Sequence, residues 1–407
     1  MRGKMNSGRW PGPSPIFSLL CGYYVLRPLR DEMGIIGGVR NLQWLFTATF
    51  AAMLIAVPVF GWLASRFSRR RIIPIVYRFF ILNILIFYGL MTALPDEVML
   101  ARVFFVWVSL FNLFVVSVFW SFMADLWNNE QGRRLFGFIA AGGSAGALAG
   151  PALTASLVGA LGPVTLLLIS AALLEISAQC VLRLRRVAGQ KGQAAANPIG
   201  GGIFAGIVET IRSPYLLGIC EYILLFTTLS TFLYYMQGHI VADAFDDSAQ
   251  RTRVFVLFDF TVSTITIVTQ LLITGPLARW IGVGGILAFL PVISLVGFAV
   301  LAAAPVIAVL IGFQALRRAS NFAVSKPGRE MLFTVVSPEQ KYKSKNFIDT
   351  AVYRGGDAVA GWAFAGLRGI GLDMAGIAAA GIPLALIWIA LAIGLGRGRK
   401  KLTEETA

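Results

Sequence analysis

Histidine and cysteine are nearly absent: one His and three Cys occur in 407 residues, and only 14% of the chain is charged. The cysteines, Cys21, Cys180 and Cys220, all lie in apolar segments with no Cys-x-x-Cys spacing. That rules against a disulfide framework or a zinc site. His239 has no plausible metal partner, so no metal or other cofactor is expected. Enzyme chemistry would need a nucleophile with its base, or a metal triad, and one histidine supplies little of either. Charge is scarce as well, since ordinary globular domains carry about 25%. What the chain has instead is apolar bulk: 57% of it is hydrophobic and its mean hydropathy is +0.75. Apolar runs of roughly 20 residues recur throughout, each long enough to cross a bilayer.

Apolar runs between charged breaks predict spans near 16–38, 44–65, 72–94, 98–124, 134–159 and 163–182, then 214–239, 254–275, 284–303, 305–325, 346–367 and 374–395. The first is expected to remain in the protein, because no small-residue cleavage site follows it. Lys and Arg test the orientation, since they collect in cytoplasmic loops. With the N-terminus inside, inner loops hold Arg66, Arg69, Arg70, Arg133, Arg134, Arg183, Arg185, Lys341 and Lys345, among others. Outer loops are short or acidic, with Arg40, Arg251, Arg253 and Arg368 as exceptions. An even number of spans with both termini inside satisfies the rule. The net charge of +15 is therefore a topology signal, and no nucleic-acid partner is expected.

Residues 183–213 form the longest hydrophilic stretch and read as a flexible cytoplasmic linker. They divide an N-terminal six-helix half (1–182) from a C-terminal half with a basic tail (214–407). The halves echo each other. GWLASRFSRRRII (61–73) parallels GPLARWIGVGGIL (275–287), and NEQGRRLFGFIA (129–140) parallels PEQKYKSKNFID (338–349). Both pairs are offset by about 210 residues, as a parallel six-plus-six repeat requires. The expected fold is all-α, twelve membrane helices in two pseudo-symmetric bundles.

Ionisable residues inside a span are costly and usually face a cavity or partner. Span one holds Arg27, Arg30, Asp31 and Glu32 around Pro28, which can loosen the helix. Arg78, Arg317, Arg318 and Arg354 lie in other spans, with the acids Asp125, Glu175, Glu221, Asp259, Asp349 and Asp357. Arginine binds phosphate or carboxylate through a rigid fork and stays charged at any physiological pH. The spans therefore point to an anion-attracting cavity, with Arg27, Arg30, Asp31, Arg78, Arg317, Arg318 and Arg354 as substrate-binding candidates. Tyr23 is a stacking candidate beside them; Asp125, Glu221, Asp259, Asp349 and Asp357 are candidates for gating or coupling. GFIAAGGSAGALAG (137–150) lacks the Gly-Lys-Ser/Thr of a phosphate loop; its small residues suit close helix approach.

GWLASRFSRRR (61–71) resembles the cytoplasmic loop signature of the major facilitator superfamily. Gly61, Leu63, Ala64, Arg66, Arg69 and Arg70 match it, whereas Ser65 and Ser68 replace its acid and glycine. YYVLRPLRD (23–31), FWSFMADLW (119–127) and REMLFTVVSPEQKYKSKNFIDTAVYRGG (329–356) look like the nucleotide (ATP/ADP) translocase branch and its bacterial relatives. That resemblance implies functional roles for Arg30, Asp125 and Lys343 or Lys345. The branch's helix-seven glutamate has no counterpart: TTLSTFLYYMQ (227–237) offers Ser230 and Thr231. The expectation is a secondary transporter for a small anion (nucleotide, phosphate ester or carboxylate), working by alternating access through exchange or proton coupling. It is expected to be monomeric, in the bacterial cytoplasmic membrane. The competing readings are a non-transporting sensor or assembly factor with this fold and, further off, a membrane-embedded enzyme.

Overall fold

The computed structural model describes residues 15–66, 69–95, 97–126, 129–188, 203–272, 274–336, 344–345 and 347–406. Among these there is no strand. The helices are α1 (Pro15–Ile36), α2 (Leu42–Arg66), α3 (Arg69–Ala93), α4 (Val98–Leu126), α5 (Asn129–Leu161) and α6 (Leu166–Ala188), then a short α7 (Ile203–Arg212). The second series is α8 (Pro214–Ala244), α9 (Ser248–Leu272), α10 (Thr274–Ala303), α11 (Ile307–Ser320), α12 (Lys326–Leu332), α13 (Tyr353–Gly369) and α14 (Met374–Thr406). Each predicted span coincides with one of these helices. The break between spans nine and ten falls at 304–306, and the described end of the predicted linker is the ten-residue helix α7.

Nine helices among the described residues are long and apolar enough to cross a membrane: α2 to α6, α8 to α10 and α14. Of the helices short of that measure, α1, α11 and α13 hold Arg30, Asp31, Arg317, Arg318, Arg354 and Asp357. Charge that lowers their hydropathy is charge the interior uses. Two of them are also locally widened, by π-helical turns at Asn321–Ser325 and Ile348–Val352. Such turns recur at functional sites because they redirect side chains without ending the helix. Pro28, by contrast, does not interrupt α1. In α10 the predicted loop near 276–283 is helical up to Gly282, whose φ of 62° and ψ of −177° break the helix there.

The chain forms two compact units. One comprises residues 1–29, 59–95 and 111–195; the other comprises 30–58, 96–110 and 196–407. The unit boundary in the middle of the chain falls inside the predicted linker. The second unit, however, also takes in the last turns of α1, most of α2 and the first half of α4.

In the first unit, backbones meet where side chains are missing, as membrane helices require. A Cβ on Gly146 would run into the Phe17 carbonyl oxygen, and one on Gly150 would lie 2.7 Å from Tyr24 Cβ. Hydrogen bonds pin α6 to the same α1: Ser170 Oγ donates to Gly22 O at 3.0 Å and Ser177 Oγ to Pro15 O at 2.8 Å. Tyr77, fully buried, reaches from α3 to the Val115 carbonyl of α4 at 3.4 Å.

In the second unit α8 is the central helix. It starts on Pro214 behind Ser213, whose hydroxyl accepts from Leu216 N. Its Tyr222, fully buried, donates to Leu287 O at 2.9 Å. At the α10–α14 crossing backbone meets backbone, because a Cβ on Gly396 would stand 2.5 Å from Gly284 Cα. Gly396→Ala should force these helices apart at about 1–3 kcal/mol. Gly394→Ala is the control, since nothing lies within 4 Å of its Cβ position. A lower melting temperature for the first variant alone is expected; equal melting would contradict this packing.

Candidate functional site

One face of α8 carries polar residues at helical spacing, Ser230, Thr231, Tyr234 and Gln237. Each bonds a different residue. Arg317 Nη1 donates to Ser230 Oγ at 2.6 Å, and Thr231 Oγ1 donates to Asp357 Oδ1 at 3.3 Å. Tyr234 Oη donates to Asp31 Oδ1 at 2.8 Å, and Gln314 Nε2 donates to Gln237 Oε1 at 2.6 Å. The face therefore ties α8 to α11, α13 and α1. Ser230 and Thr231 stand where the translocase-like glutamate was sought.

Arg317 and Arg318 are adjacent on α11, both buried, and differently treated. Arg318 Nη2 lies 2.8 Å from Asp259 Oδ1, an ion pair in which the acid is 2% exposed. Arg317 has only the neutral Ser230 hydroxyl as a hydrogen-bond partner, and its Nε has none. Among the described residues no carboxylate lies within 4.0 Å of it. A buried cation without a counter-ion is expensive. Its neighbour Arg318 receives one from α9, through Asp259.

Arg317 does not stand alone. Its guanidinium lies 5.8 Å from the Phe226 ring centre, and that of Arg329 lies 5.1 Å from the same ring. Phe226 packs against Tyr353 at 5.8 Å between centroids, and Arg354 lies 5.5 Å from the Tyr353 centroid. Three guanidiniums from α11, α12 and α13 thus surround one aromatic pair, within cation–π range. Asp357 faces them, 3.4 Å from Arg354. The two π-helical turns lie between these arginines in the chain, after Arg317 and just before Tyr353.

A second group sits at the α1–α2 turn, the end the charge pattern places outside. Glu32, fully buried, receives both Nε and Nη2 of Arg251, the shortest contact being 2.8 Å. The same arginine donates from Nη1 to Phe245 O and Asp246 O, closing the end of α8. Beside it Arg30 lies 3.6 Å from Asp31 and 4.1 Å from the Phe105 centroid. Asp31, Gly34, Tyr234, Gln237 and Phe255 line a small cavity there. Gly38, at φ 102°, makes the turn, and Arg102 Nε donates to Gly37 O at 2.8 Å. Arg251 was an exception to the positive-inside pattern; its pairing with Glu32 accounts for it.

The remaining candidates are dispersed. In the first unit Arg27 lies 5.7 Å from the Tyr24 centroid, and Tyr23 packs edge-on against Tyr24. Arg78 is not part of the second unit's network; it pairs with Glu175 at 3.7 Å with 57% of its side chain exposed. Glu221 faces outward from α8, away from the polar face. Lys345 pairs with Glu330, and Asp349 occupies the second π-helical turn. Lys343 lies outside the described residues. Asp125 is in the last turn of α4. Gly61, Leu63, Ala64 and Arg66 end α2, and Arg69 and Arg70 begin α3. Sequence reasoning missed Phe226, Tyr234, Gln237, Gln314 and Tyr353. The polar spacing on α8 was the available signal.

The arrangement defines a multi-pass α-helical membrane protein with a polar interior. Residues 16–327 match the Major Facilitator Superfamily, and the chain belongs to it. No curated protein matches it in sequence. It is similar in structure to an auto-inhibited POT family peptide transporter at a TM-score of 0.67 and 14% identity, over 94% of this chain and 95% of that one. The nucleoside transporter NupG gives 0.66 and 14%, over 96% and 97%. A bacterial homologue of the iron transporter ferroportin, in an inward-facing state, gives 0.65 and 13%, over 94% and 97%. At these identities the likeness is one of fold.

Proposed function

We propose that the protein is a secondary transporter that moves a small anionic solute through the cytoplasmic membrane by alternating access. Buried Arg317, with no ionic partner among the described residues while Arg318 beside it is paired, carries this reading. An anion arriving at Arg317, Arg329 and Arg354 supplies the missing counter-charge, and guanidinium forks suit phosphate or carboxylate. Asp357 pairs with Arg354 and yields it when the anion binds. Exchange of one anion for another, or co-transport of a proton, keeps the charge in balance. Phosphate esters, nucleotides included, are the first class to examine, because the site pairs its cations with aromatic rings. Its membership and its structural likeness to transporters support a carrier over an enzyme or a sensor. The test is uptake by proteoliposomes of matched solutes that differ only in charge. Anionic phosphate esters or carboxylates should enter and neutral analogues should not. Preference for the neutral member, or no uptake of any anion with or without a proton gradient, would overturn it.

A further inference from the structure

One charged pair is in the wrong place for a lone subunit. Glu175 sits midway along the apolar stretch Leu166–Arg183 of α6, nine residues or about 13 Å from its start. Its side chain is 38% exposed and its partner Arg78, on α3, is 57% exposed. Gln179, one turn along α6 and also exposed, donates to Glu175 Oε1. Their neighbours on the same surface are Ile75, Phe79, Leu82 and Ile176, exposed by 54%, 56%, 57% and 42%. Such a surface of apolar side chains belongs against lipid, where an ionised carboxylate at mid-depth has no water to reach. Arg78 can stretch toward the nearer membrane face, but the shorter Glu175 cannot.

We infer that this α3–α6 face is an interface, and that its occupant is a second copy of the same chain. The charges choose the occupant. The face carries one cation and one anion on neighbouring helices, so a two-fold-related copy presents the complement, Arg78 opposite Glu175 in both directions. Pairing the copies removes both charges and Gln179 from lipid, and gives each charge a second partner. The resulting assembly is a symmetric dimer, in place of the monomer expected from sequence, with the polar network of each second unit left intact.

The experiment counts subunits by stepwise photobleaching of singly labelled, full-length protein in phosphatidylcholine liposomes at low protein density. Wild type should bleach mainly in two steps. Arg78→Glu makes the face doubly acidic and Glu175→Arg makes it doubly basic, so each alone should bleach in one step. Co-reconstituted, the two variants should form mixed dimers, and the exchange variant R78E/E175R should recover two steps. Mixed dimers are a result that a purely internal role for the pair cannot give. If either charge variant fails to fold, Arg78→Gln and Glu175→Gln should still weaken the dimer without changing the fold. Single-step bleaching of wild type overturns the proposal, as does a dimer indifferent to all of these changes. A stoichiometric complex with a different membrane protein also overturns it.

Discussion

Replacing Arg317 with Met should cut uptake of the transported anion by about 100-fold, because a charge-assisted bond to a buried anion is worth about 3 kcal/mol. The same change should leave the melting temperature of the empty protein unchanged or higher. Met keeps the volume of the side chain and removes a 5%-exposed charge that has no carboxylate within ion-pair distance among the described residues. Residues that hold a fold together lose stability when removed; one retained for binding does the reverse. Arg317→Lys keeps the charge but gives up the fork, so it should fall between, with uptake reduced about tenfold. Reconstituted uptake and thermal melting of the same preparations check both halves. A large loss of stability would make Arg317 a brace.

Glu32 and Arg251 should behave in the opposite way. Their pair is buried, two-pronged and extended by two carbonyl contacts at the end of α8. Arg251→Ala leaves a fully buried carboxylate alone, which costs about 3–5 kcal/mol. Glu32→Ala strands the guanidinium, at a comparable cost. The double variant E32L/R251M removes both charges and should recover most of the loss, since apolar replacements of a buried pair are often neutral. Melting of the four proteins measures this coupling directly. Equal melting of wild type and both single variants would mean that the pair contributes nothing. Because it joins α1 to α9, it also braces the α1–α2 turn against the end of α8.

These two arginines explain what could and could not be read from the sequence. Helix positions were legible because apolar runs and charged breaks are one-dimensional signals, so each span overlaps a helix, although α10 begins ten residues earlier and α14 ends eleven residues later than predicted. The charged spans were legible for the same reason: Arg30, Asp31, Arg317, Arg318, Asp259, Arg354 and Asp357 all sit in helices and engage one another or α8. Partner choice was not legible. Arg317 and Arg318 are neighbours in sequence, but about 100° of helix turn separates them, so one meets Asp259 and the other meets Ser230. Arg78 looked equivalent to the interior arginines because hydropathy does not tell a span's inner face from its outer one. Phe226 and Tyr353 were hidden among many aromatics, and only packing shows which two the arginines surround. The π-helical turns beside them arise from tertiary contacts and leave no distinct pattern in the chain.

Arg317 has no ionic partner among the described residues, and the proposal is that an anion fills that place. Its most direct test is thermal melting of detergent-solubilised wild type and Arg317→Met across a panel of phosphate esters, nucleotides, carboxylates and their neutral analogues. A ligand at 100 times its Kd adds about 2.7 kcal/mol to the state it binds. At least one anion should therefore raise the melting temperature of wild type and leave the variant unmoved, while neutral analogues move neither. Stabilisation of both proteins by the same anion, or of wild type by a neutral analogue instead, would contradict the account.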